Sequence, residues 1–174
     1  THEIVQGEFE TGLRKLGWRG SSIRCAGRTD AGVHARAQVV SFQLDWKHST
    51  GDLLNALNHY LPDDMGAQEV IEVADDFHPR YDAEARHYRY HLFCHPVRDP
   101  LREVFAWRIW PEVDLQRMNE AALGLMGSHD FQAFGGPTTP GGTTVREVFS
   151  AGWVKEGEKY HFDIRATAFL YHMV

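Results

Sequence analysis

Residues 2–16 place Ile4 or Val5, Phe9, Leu13 and Leu16 at spacings of three to five. That period predicts an amphipathic helix with Thr1 as its cap and Gly17 as its stop. Residues 22–29 and 37–44 read as two strands around a polar loop. Ser49 or Thr50 is positioned to cap a second helix over roughly 51–59, which must end before Leu61-Pro62. Val70-Ile71-Glu72-Val73 predicts a short strand within 67–75. The clearest alternation runs over 84–94: Arg86, Tyr88, Tyr90, Leu92 and Cys94 share one face, and Ala85, His87, Arg89, His91 and Phe93 the other. Another strand is expected at 104–110. A helix over roughly 114–126 follows, with Leu115, Met118, Ala122 and Leu125 on one stripe, Asp114 as cap and Gly127 just past its end. The Gly-, Pro- and Thr-rich run 135–143 reads as a mobile loop. Strands over roughly 144–154 and 159–168 flank Glu156-Gly157 and predict a hairpin. The apolar segment Tyr171-His172-Met173-Val174 reads as the start of a further helix. Strands outnumber helices and come in adjacent pairs. The expected class is therefore α+β, with a mixed, mainly antiparallel sheet and flanking helices, rather than an alternating βαβ nucleotide fold.

Composition narrows this picture little. A chain of 174 residues with 43% hydrophobic and 24% charged residues is an ordinary globular domain, or two small intimate ones. No apolar run approaches the roughly 18 residues of a membrane span. Thr1-His2-Glu3-Ile4 has neither a basic region nor a hydrophobic one behind it, so no secretory signal is read and a cytoplasmic protein is expected. Cys25 and Cys94 have no metal-ligand or disulfide spacing and read as buried free thiols.

The net charge of −6 argues against a nucleic-acid binder, but its distribution is polarised. Residues 14–36 carry a local net charge of +5, while residues 52–76 hold seven acids and no Lys or Arg. Such a chain can present a basic cleft on an acidic body, or simply two solvated faces of opposite sign.

Candidate chemistry centres on Gly27-Arg28-Thr29-Asp30-Ala31-Gly32-Val33-His34-Ala35-Arg36. A carboxylate on a tight loop between strands is held by the sheet and exposed by the loop, as a catalytic group must be. Asp is also a common turn residue, so the plain alternative for Asp30 is a turn former. Arg28 lies two residues away. On an extended segment it points the same way and would keep the carboxylate ionised, or it forms a plain structural ion pair. Tyr88 and Tyr90 share their strand face with Arg86. A basic–aromatic stripe can stack single-stranded RNA bases, although strand aromatics are more often core. His78 and Arg80, in Phe77-His78-Pro79-Arg80, sit on a linker and are candidate phosphate contacts, or exposed polar residues of a loop. His87, His91 and His95 recur every four positions, but no acid or Cys partners at matching spacing support a metal site. Neither a phosphate-cradling Gly pattern nor a Gly-x-Ser-x-Gly elbow occurs.

The run Cys25-Ala26-Gly27-Arg28-Thr29-Asp30-Ala31-Gly32-Val33-His34 closely resembles the signature of the tRNA pseudouridine synthase A (TruA) family. Other segments resemble the family in the right order. They are residues 4–16, then Asp75-Asp76-Phe77-His78-Pro79-Arg80-Tyr81 with Ala85-Arg86-His87-Tyr88-Arg89-Tyr90, then Ala168-Phe169-Leu170-Tyr171-His172-Met173-Val174. The resemblance implies the pseudouridine synthase fold, an antiparallel sheet of two similar halves with flanking helices, here 1–80 with the catalytic loop and 81–174. It implies Asp30 as the catalytic aspartate, Tyr88 as the tyrosine that packs on the target base, and Arg28 as the residue that extrudes the nucleotide and holds it out. It implies tRNA as substrate, at uridines 38–40 of the anticodon stem-loop, and a homodimer. An isomerisation without a redox step needs no cofactor and no metal. The family's first strand, and an arginine, helix and strand that follow the His-Met-Val element, have no counterpart here, so the chain is expected to be incomplete at both ends.

Two other readings stay open. A chain of the same fold could be a catalytically inactive or truncated RNA-binding module. An unrelated α+β enzyme using Asp30 in glycosyl chemistry would want a second carboxylate near it, which the sequence does not place.

Overall fold

The computed structural model describes residues 5–137 and 141–174. Thr1 and Ile4, expected in the first helix, lie outside the described residues, as does part of the 135–143 loop. The chain is α+β and divides into two compact units, Thr1–Ala83 and Glu84–Val174.

In the first unit, α1 spans Val5–Lys15 and buries Glu10, Gly12 and Leu13. Gly17 ends it at φ +94°, where a side chain would be strained, and Trp18 N–H returns to Leu13 O at 3.1 Å. The turn drops Trp18 into a core with Leu13, Ile23, Leu53 and Leu57. Glu10 is a buried acid with all its bonds made. It accepts from Gln6 Nε2 at 2.9 Å, Ile23 N at 3.2 Å and Arg14 Nη2 at 3.2 Å. The Gln6 bond, followed by those from Ile23 and Arg14, holds its carboxyl below the ordinary range against burial.

Two strands do flank the Asp30 loop, but they are short. β1 is Arg24–Cys25 and β2 is Val40–Ser41, paired antiparallel with Arg24 opposite Ser41 and Cys25 opposite Val40. α2 follows at Thr50–Tyr60. Ser49 caps it in a full capping box with Asp52, and Leu61 closes it before Pro62. The strand expected at 67–75 does not form. Asn58 takes a strand partner's place: its Nδ2 donates to Ala67 O at 2.9 Å and its Oδ1 accepts from Ala67 N at 2.7 Å. The backbone of that one residue is satisfied by a side chain, while Ala67 and Val70 still pack on the core.

The second unit is built on a five-stranded sheet. β3 is Arg86–Cys94, α3 is Pro100–Glu103, β4 is Trp107–Ile109, α4 is Leu115–Leu123, β5 is Gly127–Asp130, β6 is Val145–Glu156 and β7 is Lys159–Ala166. The order is β4-β3-β7-β6-β5, antiparallel except for the β3–β4 pair. The β6–β7 hairpin turns through Gly157 at φ +62°. α4 starts at Asp114, whose side chain accepts from Gln116 N and Arg117 N. It ends at Gly124, short of the expected 126, and Gly127 at φ +93° opens β5 instead.

Register assigns the faces. Tyr88 lies opposite Ile164, and Ile164 opposite Ala151; Val148 lies opposite Ala166. This face carries the second core of Phe131, Val148, Ile164, Ala166 and Leu170, with Tyr88, Leu125, Phe162 and Phe169 packed against it. The opposite face holds His87, Arg89 and Asp163. Arg89 grips Asp163 through Nε and Nη2, both at 2.8 Å, and His87 Nε2 meets it at 2.9 Å. β5 leaves part of the β6 edge uncovered. There Asn119 of α4 accepts from Trp153 N at 2.8 Å and donates to Trp153 O at 3.1 Å. The final segment is not a helix. Tyr171 bridges to Gly136 and His172 takes φ 65°.

Candidate active site

Asp30 stands on the exposed loop between β1 and β2. Three bonds shape that loop. Ala26 N–H donates to Val39 O at 2.9 Å, which carries the ladder one step past Cys25. Gln38 Nε2 donates to Gly27 O at 2.8 Å and straps the neck. Val33 N–H donates to Asp30 O at 3.1 Å, with Gly32 at φ +83°. That is a β-turn with positive φ at its third position, which only Gly meets without strain. Asp30 is its first residue, so the turn former and the candidate catalytic group are one and the same.

The Arg28–Asp30 ion pair invited by the spacing is not made. Among the described residues no ion pair within 4.0 Å involves either group. The segment bends into its turn at Asp30, so the two side chains do not share one extended face. Both are exposed, where a pair would be worth little. Cys25, at the foot of the loop, is half-buried. Burial, with Glu10 adding to it, raises its thiol pKa against the opposing charge of Arg28.

His78 and Arg80 come together in a tight turn at the end of the first unit. His78 O accepts from Tyr81 N at 3.1 Å and Asp82 N at 3.0 Å, while His78 N donates to Asp82 Oδ2 at 2.8 Å. His78 Nδ1 accepts from Arg80 N at 3.2 Å, which places the proton of a neutral ring on Nε2. Tyr81 stacks on His78 with ring centres 4.2 Å apart, and the Arg80 guanidinium lies 6.0 Å from the Tyr81 ring. Tyr81 is 75% exposed, an aromatic surface that the motif contains but alternation could not single out.

Arg86 and Tyr88 are brought together on β3, both half-buried. Arg86 Nη1 donates to Thr167 O at 2.8 Å. Tyr88 meets Phe169 edge-on, with ring centres 4.8 Å apart and planes at 76°. Tyr90, expected on the same stripe, is 42% exposed and lies clear of that core. Phe169 is the residue that periodicity missed, because it lies in an irregular segment with no period to read. Among the described residues no cluster of three or more His, Cys, Asp or Glu could hold a metal ion. No described helix is long and apolar enough to cross a membrane.

Comparison with known proteins bears directly on this chemistry. A family model described as tRNA pseudouridine synthase matches residues 2–82 and 121–174, which include the Asp30 loop, the His78 turn and Phe169. The chain is 39% identical over 170 residues to the tRNA pseudouridine synthase A of Geobacter sp. (strain M21), covering 98% of this chain and 69% of that protein. It is 40% identical over 170 residues to that of Moorella thermoacetica, again covering 98% and 69%. Against that of Shewanella amazonensis the identity is 38%, covering 98% and 65%. An alignment that runs nearly the whole chain leaves no room for an unrelated scaffold carrying a borrowed loop, and the chain belongs to the tRNA pseudouridine synthase family of isomerases.

Proposed function

We propose that this chain carries the catalytic region of a tRNA pseudouridine synthase that isomerises uridines 38–40 in the anticodon stem-loop, with Asp30 as its catalytic residue. The observation that carries the reading is the state of Asp30. It heads a Gly-dependent turn on an exposed loop, and no cation of the described residues pairs with it. A carboxylate so presented is available to a substrate.

The reaction breaks the N1–C1′ bond of uridine, turns the uracil and joins C5 to C1′. The proton leaves C5 and one is gained at N1, so atoms and electrons balance without a cofactor. Asp30 acts either as a nucleophile at C1′ or as a base at C2′. The target atoms lie inside a stacked stem, so the nucleotide must first be flipped out. Arg28, two residues before Asp30, holds the extruded nucleotide, and the face of Tyr88 carries the base while it turns. Arg86, His78 and Arg80 supply RNA contacts, with exposed Tyr81 offering a stacking face between the last two. The working unit is a cytoplasmic homodimer. Exposed Leu101, Val104, Trp107 and Trp110, close together in the chain, support that reading, since exposed large apolar residues are what an interface buries. The charges beside them are paired internally, Arg98 and Arg108 with Glu103 and Arg102 with Glu158, which suits a neutral protein partner better than a polyanion.

The test is to incubate tRNA transcripts with the chain and map pseudouridine by carbodiimide modification and primer extension. The expected stops fall at uridines of the anticodon arm and vanish with Asp30→Asn. Stops elsewhere would remove the anticodon-arm assignment. RNA binding without any stop would favour the inactive RNA-binding module.

A further inference from the structure

We infer that Phe169 is a positioning residue for Tyr88, setting the plane on which the detached base turns; this rests on the role proposed for Tyr88. A strand fixes where Tyr88 begins, but its ring plane is set by neighbours, because the torsion next to an aromatic ring is broad. The contact from Phe169 is edge-to-face at 76°, the arrangement that the ring quadrupoles favour.

Phe169 sits in no helix or strand, so its own place must come from specific fastenings. They lie on both sides of it. Thr167 N donates to Glu147 O at 3.0 Å, and Thr167 Oγ1 accepts from Glu147 N at 3.3 Å. Thr167 O accepts from Arg86 Nη1 at 2.8 Å. Beyond Phe169, Leu170 is 4% exposed in the core and Tyr171 N donates to Gly136 O at 3.0 Å. The Tyr171 carbonyl occupies the space that a Cβ at Gly135 would need, so a glycine is required there by close approach.

These contacts close a circuit. Arg86 and Tyr88 leave the same face of β3. One holds the segment that carries Phe169, and the other receives the Phe169 ring. Any slip of that segment is felt at Tyr88 from two directions.

If Phe169 only fills space, Phe169→Leu costs stability but leaves the Tyr88 ring unmoved. If it positions the ring, Phe169→Leu disturbs Tyr88 and Phe169→Tyr preserves the hold. The chain is labelled with 3-fluorotyrosine, and the Tyr88 resonance in the ¹⁹F spectrum is identified by its loss in Tyr88→Phe. One sharp resonance is expected for the parent and for Phe169→Tyr, and a broadened or split one for Phe169→Leu. Gly135→Ala, which keeps the Phe169 ring but pushes the Tyr171 carbonyl and with it the segment that carries Phe169, is expected to broaden the same line, and it decides if Phe169→Leu does not fold. In single-turnover reactions on tRNA, Phe169→Leu should lose about tenfold in rate, the upper range of one edge-to-face contact, with tRNA affinity held within about twofold and Phe169→Tyr restoring the rate. A sharp, unmoved Tyr88 line in Phe169→Leu overturns the inference, and so does parental turnover by that variant. If the parent makes no pseudouridine at all, the functional reading fails, while the ¹⁹F spectra still decide whether Phe169 holds Tyr88.

Discussion

The two units hold their candidate site residues in opposite ways. Asp30 stands on a loop fastened at its neck by a two-residue ladder and the Gln38–Gly27 bond, and at its tip by one turn. Tyr88 stands on β3, paired with β7 from Arg86 to Phe93, over a core that includes Ile164 and Phe169. Asp30 is exposed and held by a few local bonds, whereas Tyr88 is half-buried and held by a ladder and a core. Mutations near the two should therefore differ in kind: those under Tyr88 cost folding stability, and those around Asp30 cost local order.

The largest effect is expected under Tyr88. Ile164 lies across the ladder from it and is 5% exposed. Ile164→Ala should cost about 2–5 kcal/mol in urea denaturation, the ordinary penalty for a buried aliphatic truncation. A loss under about 0.5 kcal/mol, typical of a surface site, would break the contrast.

Around the loop the costs shrink. Gly32 has φ +83° and open space about it, so Gly32→Ala adds strain without a clash. The expected cost is about 1–2 kcal/mol confined to the turn. It is read as lost hydrogen-exchange protection at Val33, with the second unit's protection unchanged. Gln38→Ala removes one exposed neck bond and should cost about 0.5–1.5 kcal/mol. Its signature is faster exchange at Ala26 with little change in the urea midpoint.

Acid acts on both units with smaller increments, since Glu10 of the first unit also has a depressed carboxyl. Arg89, and after it His87, hold the Asp163 carboxyl below its ordinary range against the opposing effect of burial. Arg98 does the same for Glu103, and Lys155 with Tyr160 for Glu112. A depressed carboxyl contributes stability that is complete above its unfolded pKa, near 4. That stability is lost as pH falls through the lower folded value. The urea midpoint should therefore decline from pH 5 to pH 3, and Arg89→Gln should flatten part of that decline.

Much of this was legible in the sequence where local chemistry decides the outcome. The cap of α2 at Ser49, one of the two positions the sequence offers, the Asp114 cap, the stop at Gly17 and the alternation of β3 all appear where the residues place them. The membership of the family was legible too, from the run Cys25–His34. What failed depended on partners distant in the chain. The strand expected at 67–75 does not form, and at its start Ala67 bonds the Asn58 side chain. β5 was invisible because Gly127, Ser128, His129 and Asp130 are all exposed and carry no apolar pattern. α3 is only four residues long, too short for a period to show. The last segment is apolar and predicts a helix, yet Gly136 draws Tyr171 into a bridge. In the candidate site, the motif places Asp30 on its loop, while the contact of Phe169 with Tyr88 needs a fold to bring them together.

The most direct measurement is tritium release from tRNA carrying 5-tritiated uridine, with thermal melting of the same preparations. C5 gives up its hydrogen only when the new glycosidic bond is made. The parent should release tritium, and Asp30→Asn should lose at least 10²–10⁴-fold, on the order of a positioned acid or base, with its melting temperature unchanged. Equal release by both proteins would contradict a catalytic Asp30, and a melting temperature that falls with the substitution would contradict a carboxylate left free by its loop.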